Sequence, residues 1–478
     1  MTVSQTANPL GYEQIGRLLR RFAIPSVISL IINSLYNMVD QIFIGQGVGF
    51  LGNGATNIIA PITIIAIALS ALFGDGLAAY FSLHLGKGEP EKAASGVGNA
   101  LLGSSVVSIL LMILAFSFLE PLCLFFGATD TLMPYALGYG SIIVLGFPFV
   151  IIGTVINSVI RADGSPRYAM FAMMIGALLN ILLDPLFIFV FHWGVEGAAL
   201  ATIISQGVGM LCNIIYLFHF KNIHLTRHAF AFHLSLIGHI CALGFAGCFN
   251  NLTSTVVAFV SNNLLTQYGA LSEYGADIPI TTFGLCMKIS MLALSLAIGV
   301  ASGSQPIIGF NYGAHHFDRV KKAFLLSVCV STIIATLSWL VFQLFPLQLI
   351  RIFGTESSLY EDFAVQCFHI YLMLTMLNGL QLCAGVFFQA IGQPVKATVV
   401  SLSKQLLFYV PAMIVLARFF GLTGILLAGP VADALAFTLS LILCLRELRK
   451  LEHLSKNTCH SLHAHATHSS STVGLPSR

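Results

Sequence analysis

Charge is what this sequence has least of. Asp, Glu, Lys and Arg make up 9% of its 478 residues, whereas a soluble domain carries about 25%. With 57% of residues hydrophobic and a mean hydropathy of +0.89, a soluble globular class is excluded and the chain reads as a polytopic membrane protein. Paired cysteines are missing too. The ten cysteines are scattered singly with no CxxC and no metal-ligand spacing, so neither a disulfide framework nor a metal centre is expected. Most fall in apolar segments and read as small hydrophobes. A Walker A motif, a Gly-rich nucleotide loop in strand context and a nucleophile elbow are all absent, which argues against ATP hydrolysis and against an enzyme. No cofactor is called for, and nothing supports nucleic-acid binding. The N-terminus carries no small-residue cleavage site, so its first apolar segment, behind Arg17, Arg20 and Arg21, is expected to stay as a helix.

A membrane span needs roughly 20 apolar residues. Twelve such stretches occur, near 22–44, 54–82, 95–119, 132–158, 168–191, 194–219, 235–264, 281–309, 323–345, 363–388, 396–417 and 422–445. They are too long for barrel strands, so all-α is the expected fold class. Lys and Arg crowd the loops on one side, from Arg17 through Lys87, Lys92, Arg161, Arg167, Lys221 and Arg319 to Arg446 and Lys450. The opposite side carries Arg351 and Arg418 alone, with Lys288 and Lys404 inside spans. The positive-inside rule then places both termini in the cytoplasm.

The chain also resembles itself. Gly-Ala-Thr-Asp at 127–130 matches Gly-Thr-Glu-Ser at 354–357, 227 positions on. Gly194-Val-Glu-Gly197 matches Gly421-Leu-Thr-Gly424, Ala162–Pro166 matches Ala390–Pro394, and Leu85-Gly86-Lys87-Gly88 matches Tyr312-Gly313-Ala314 at nearly the same offset. Six spans per half is an even number, so the halves share one orientation, a parallel repeat about the membrane normal. The expected domains are an N-terminal six-helix lobe (1–219), a linker (220–234), a C-terminal six-helix lobe (235–449) and a disordered tail (450–478). That tail holds His453, His460, His463, His465 and His468, and its Ser- and Thr-rich composition fits disorder better than a metal site.

Four carboxylates fall inside spans: Asp40, Asp75, Asp184 and Asp433. Each costs roughly 2.5–3.5 kcal/mol at a helix centre, so each wants a reason. Asn33, Tyr36 and Asn37 precede Asp40 at helical spacing and can share its face. Asn180 sits one turn before Asp184, and Pro185 frees a backbone carbonyl beside it. At 1.5 Å per residue Asp40, Asn180, Asp184 and Thr202 converge at about 16–27 Å from the basic side. Oxygen ligands suit a hard cation or a proton, and two adjacent carboxylates resist carrying two charges, so one can load and unload a proton. Asp75 serves a helix kink or packing as readily as transport. Lys404 and Asp433 read as a structural ion pair, and Lys288 has no evident partner.

Taken together, Asn37-Met-Val-Asp40-Gln-Ile-Phe-Ile-Gly45, Leu85-Gly-Lys-Gly88, Arg161-Ala-Asp-Gly-Ser-Pro166, Asn180–Ile188 and Gly194–Thr202 resemble the multidrug and toxic compound extrusion family, in its DinF-like and MepA-like branch. The resemblance implies two pseudo-symmetric six-helix bundles around a V-shaped central cavity. It also implies antiport of small organic cations against inward H+ or Na+ across the plasma (inner) membrane. Asp40, Asn180, Asp184 and Thr202 match the family's first-lobe cation site. The NorM-like branch also uses acidic residues in helices 7 and 10. Here 235–264 and 363–388 contain none, which leaves the first-lobe pair as the coupling candidate. The expected mechanism is rocker-switch exchange by a monomer in the lipid bilayer, with a flippase for lipid-linked precursors, or export of some other solute, as the alternative.

Overall fold

The computed structural model describes residues 8–275, 277–352 and 357–470, with side chains described through Arg351 and from Ser357 to Lys456. The first half comprises α1 (Pro9–Tyr12), α2 (Ile15–Gly47), α3 (Phe50–Gly86), α4 (Pro90–Ser117), α5 (Leu119–Phe125), α6 (Met133–Leu145), α7 (Phe147–Ala162), α8 (Pro166–Pro185) and α9 (Gly194–Leu217). The second comprises α10 (Leu234–Gly269), α11 (Asp277–Gly313), α12 (Phe317–Leu344), α13 (Pro346–Ile352), α14 (Ser358–Gln366), α15 (Asn378–Ala390), α16 (Pro394–Leu402) and α17 (Val410–Ser470). Among the described residues there is no strand. In hydrocarbon the backbone has no water to bond to, so each segment satisfies its own amides as a helix.

Among the described residues ten helical runs are long and apolar enough to cross a membrane, and α6 with α7, bent by 43° at their junction, adds one more. The run Pro394–Lys456 is itself a hairpin. Gly421 takes φ 59° and ψ −134°, and across that point Lys396 meets Glu447 at 2.5 Å and Lys404 meets Asp433 at 2.7 Å. Counted as two arms, it completes a twelve-helix bundle.

The helices overrun the expected windows: α3 extends 54–82 to Phe50–Gly86, and α11 extends 281–309 to Asp277–Gly313. The tenth span is broken into α14, a π turn Cys367–Tyr371, a 3-10 turn Thr375–Leu377 and α15. The last helix runs to Ser470, across residues whose composition suggests a tail without regular structure. Burial of Leu451 against the core, with Leu454 packed beside it, accounts for its continuation past 450. The side chains of His460, His463, His465 and His468 lie outside the described residues, as do residues 354–356 of the repeat.

The repeat is visible in the backbone. Gly194 (φ 57°) corresponds to Gly421 (φ 59°), Gly164 (88°) to Gly392 (77°), and Gly88 (74°) to His315 (57°). Equivalent turns take a positive φ in both halves.

On the basic face the halves are fused. One core cluster joins Leu18, Phe22 and Ala23 of α2 to Val300, Ile307 and Phe387 of the second half. Another joins Phe73, Leu77 and Phe81 of α3 to Ile240 and Leu243 of α10. Between these clusters helices also meet backbone to backbone, along a glycine seam. A Cβ at Gly244 would stand 1.8 Å from the Leu72 carbonyl oxygen, one at Gly76 2.1 Å from that of Ile240, and one at Gly313 2.1 Å from that of Leu83. Only glycine allows such approach. Beyond it Arg319 donates to the carbonyls of Leu10 (3.0 Å) and Glu13 (2.7 Å) and to Asn311 (2.8 Å), while Asn8 donates to Asn222 (3.1 Å). The N-terminal turn thus bridges both halves.

Towards the other face the cores part. Ile59, Val144, Phe147 and Ala199 pack within the first half, and Val257, Phe283, Phe368 and Ile425 within the second. The lobes therefore enclose a V-shaped cleft, closed at the basic face and open opposite it.

A candidate cation site in the first lobe

The site is built where α2, α8 and α9 meet. Asp40 of α2 is 8% exposed, and Asn180 and Asp184 of α8 are 1% and 0% exposed; Thr202 of α9 is half-buried. One turn separates Asn180 from Asp184, so one amide reaches both neighbours. Its Nδ2 donates to Asp184 Oδ1 at 3.2 Å and to Thr202 Oγ1 at 3.4 Å. The carboxyls of Asp40 and Asp184 lie within interaction range of each other. Two bare charges there would repel, which favours a proton or a cation between them.

The decisive feature is what is left over. Asp40 Oδ1, Asp184 Oδ2 and Asn180 Oδ1 are buried acceptors without a hydrogen-bond partner. Native interiors satisfy such atoms. A cluster of three oxygens, two of them from carboxyls, is suited to a proton or a hard monovalent cation.

The surroundings differ in how they bear on the cluster. Tyr36, half-buried, lies within electrostatic reach of both carboxyls. Asn37 is exposed, and its amide donates to the Asn33 carbonyl at 2.7 Å, within its own helix. Pro185 ends α8 and leads into the π turn Leu186–Val190; having no N–H, it withdraws a donor from the carbonyl of Ile181.

Two neighbours escape the sequence reading. Tyr139 of α6 also stands within reach of Asp40 and Asp184, although nothing in its spacing ties it to them. Gln41 lies within reach of the Asp40 carboxyl and accepts from Thr56 Oγ1 at 3.3 Å. The adjacency of Gln41 to Asp40 was the available signal, but residues adjacent in a helix normally point apart.

The other charges within spans lie elsewhere. Asp75 does not break α3; its carbonyl accepts from Gln305 at 3.4 Å across the seam, with Arg161 as its nearest charge. In the second lobe Lys404 meets Asp433 at 2.7 Å and Asn378 Oδ1 at 2.6 Å. Lys288 on α11 is exposed. Among the described residues no group of His, Cys, Asp and Glu could hold a metal ion.

Two like halves of apolar helices, closed against each other on one face, have the build of an integral membrane transporter rather than an enzyme. The chain belongs to the MatE family, whose model matches residues 25–186 and 248–414, once in each half. It is similar to the multidrug export protein MepA of Staphylococcus saprophyticus, 25% identical over 87% of this chain and 90% of that protein. The MepA of Staphylococcus aureus strain MRSA252 is 24% identical over 88% of this chain and 91% of its own. Among solved structures, the outward-facing conformation of a multidrug resistance MATE family transporter of the MOP superfamily superposes with a TM-score of 0.87. It is 22% identical and covers 95% of this chain and 100% of its own, which shows the shared fold.

Proposed function

We propose that the chain is a secondary multidrug efflux antiporter, exporting organic cations in exchange for inward H+ or Na+. The observation that carries the reading is the trio of unsatisfied oxygens on Asp40, Asn180 and Asp184, and the export proteins named above support it. The basic face lies in the cytoplasm of a cell whose inner membrane the protein spans as a monomer, by the positive-inside rule. The cleft then opens outward. A coupling ion entering from outside settles between Asp40 and Asp184, the cargo leaves, and the glycine seam parts as the lobes rock inward. The ion dissociates there and a new organic cation enters. One-for-one exchange moves no net charge, so one pH unit supplies about 1.4 kcal/mol. A second coupling ion would add about 2.3 kcal/mol per 100 mV.

The test is ethidium efflux from energised vesicles, with H+ or Na+ as the only gradient, comparing wild type with Asp40→Asn and Asp184→Asn. Efflux in wild type and loss in both variants is the expected result, and the effective gradient names the ion. Efflux intact in both variants would remove the coupling role from this site. No efflux of any cation by inserted wild type would overturn the export reading.

A further inference from the structure

The second lobe holds a polar cluster that the cation site does not use. Lys404 Nζ lies 2.7 Å from Asp433 Oδ1 and donates to Asn378 Oδ1 at 2.6 Å; the Asp433 side chain is 6% exposed and that of Lys404 28%. Asn378 and Lys404 stand beside breaks in helical regularity, and Asp433 follows a proline within a continuous helix. Asn378 follows the 3-10 turn Thr375–Leu377, Lys404 lies in the π turn Ser403–Tyr409, and Asp433 comes three residues after Pro430. Irregular backbone at membrane depth is tolerated where it is enclosed by protein or lines a water-filled cavity, and π turns recur at functional sites.

Depth and direction can both be read. Asp433 lies about 21 Å along its helix from Glu447, which is held by Lys396 at the basic face, so it stands near mid-membrane. An ammonium at that depth does not face lipid. The segment carrying it packs against α10, the second-lobe helix at the cleft. The open part of Lys404 therefore faces the cleft.

Beside the carboxylate is an aromatic wall. The rings of Tyr371 and Tyr409 lie 5.9 Å apart at 67°. Tyr371 is within electrostatic reach of Asp433. Gly429, one turn before Asp433, lets that ring approach, since a Cβ there would stand 2.6 Å from it. A carboxylate with aromatic faces is the chemistry that holds an organic cation.

We propose that Asp433 is an organic-cation site in the second lobe and that Lys404 is its tethered competitor. The ammonium holds the carboxylate while the lobe is empty and swings into the cleft when a cargo cation takes its place. A small inorganic cation offers Asp433 nothing that Lys404 does not already supply. A lipophilic cation adds contact with the half-buried Tyr371, which Tyr409 backs from the core, so the competitor makes the site selective for such cargo. This deepens the export reading, on which it rests, by placing the cargo's charge in the lobe opposite the coupling ion.

The experiment is binding of labelled tetraphenylphosphonium to the purified full-length protein, with no gradient present. Lys404→Met removes the competitor and is expected to tighten binding at least ten-fold. Asp433→Asn is expected to weaken it at least ten-fold, and the double variant to bind as Asp433→Asn does. Lys404→Arg keeps the charge while gripping Asp433 through two donors, and is expected to weaken binding even if the methionine variant does not fold. A purely structural pair would lower thermal stability in the single variants and leave tetraphenylphosphonium affinity within two-fold of wild type; that outcome overturns the proposal. Failure of the two readings is distinguishable. Efflux intact with affinity indifferent to position 404 and 433 removes the site and leaves the exporter. The expected binding pattern without wild-type efflux of any cation leaves the site and removes the exporter.

Discussion

Gly86 lies so close to Phe310 that a Cβ on the glycine would stand 2.0 Å from the phenylalanine carbonyl oxygen. The two residues belong to opposite lobes, so this contact measures how tightly the basic face is shut. Gly86→Val should force the lobes apart there and cost about 1–3 kcal/mol in the closed form. Spin labels at exposed positions 20 and 322 should report a longer inter-lobe distance than in wild type, with slower efflux. An unchanged distance would mean that the seam yields locally instead.

The amide of Asn180 spans Asp184 and Thr202, so its loss should be felt in ion affinity before rate. Asn180→Ala removes a hydrogen bond to a carboxyl, worth about 1.5–3 kcal/mol. With Na+ as the coupling ion, which also loses the Asn180 Oδ1 ligand, the half-saturating concentration should rise roughly ten-fold or more. With H+ it should fall instead, because the lost N–H favoured the ionised carboxyl. Maximal efflux at saturating ion should stay within a few-fold of wild type.

Glu447 is 2% exposed and accepts from Gln393 at 2.8 Å and Lys396 at 2.5 Å. Lys396→Met strands a buried carboxylate, whereas Glu447→Gln frees an ammonium that is already 39% exposed. The first should cost about 2 kcal/mol and the second about 1 kcal/mol. Melting temperatures in detergent should fall in that order.

In the turn between α3 and α4, bonds from Lys92 and His84 lower the Glu89 carboxyl to about 2. A carboxyl depressed in the folded state stabilises above its unfolded value and loses that contribution as pH falls through the folded one. Wild type should therefore be more stable than Glu89→Gln above about pH 4.3. The two melting curves should converge as pH drops towards 2.

Nothing lies within 4 Å of a Cβ at Gly421, whose φ is +59°. Its requirement for glycine is one of backbone alone. Gly421→Ala should destabilise by about 1–3 kcal/mol, seen as a lower melting temperature. Gly421→Asn should cost as much, because ψ −134° lies outside the left-handed helical region that asparagine tolerates.

The repeat and the hairpin point were legible because turns are local. Gly194 and Gly421 mark equivalent turns in the sequence and both take a positive φ in the structure. Asp40, Asn180 and Asp184 were legible because a carboxylate in an apolar run has few inexpensive explanations. The seam was not legible. Gly76, Gly86, Gly244 and Gly313 lie in separate helices, and no spacing within one helix says which backbone will meet it. Tyr139 was missed for a related reason: it reaches the site through the crossing of α6 with its neighbours. The tenth span read as one helix because its π and 3-10 turns keep the apolar composition of the helix they interrupt.

A closure made from glycine against carbonyl sets how the molecule divides its time between two shapes. Where glycine meets carbonyl, parting uncovers peptide groups, which water hydrates readily; where Phe22 packs with Ile307 and Phe387, parting uncovers apolar side chains, which water does not. The glycine contacts thus lower, without removing, the hydrophobic penalty for separating packed helices. Two states related by parting that seam can lie within a few kcal/mol of each other, a gap that the binding of one ion or one cargo molecule is sufficient to reverse.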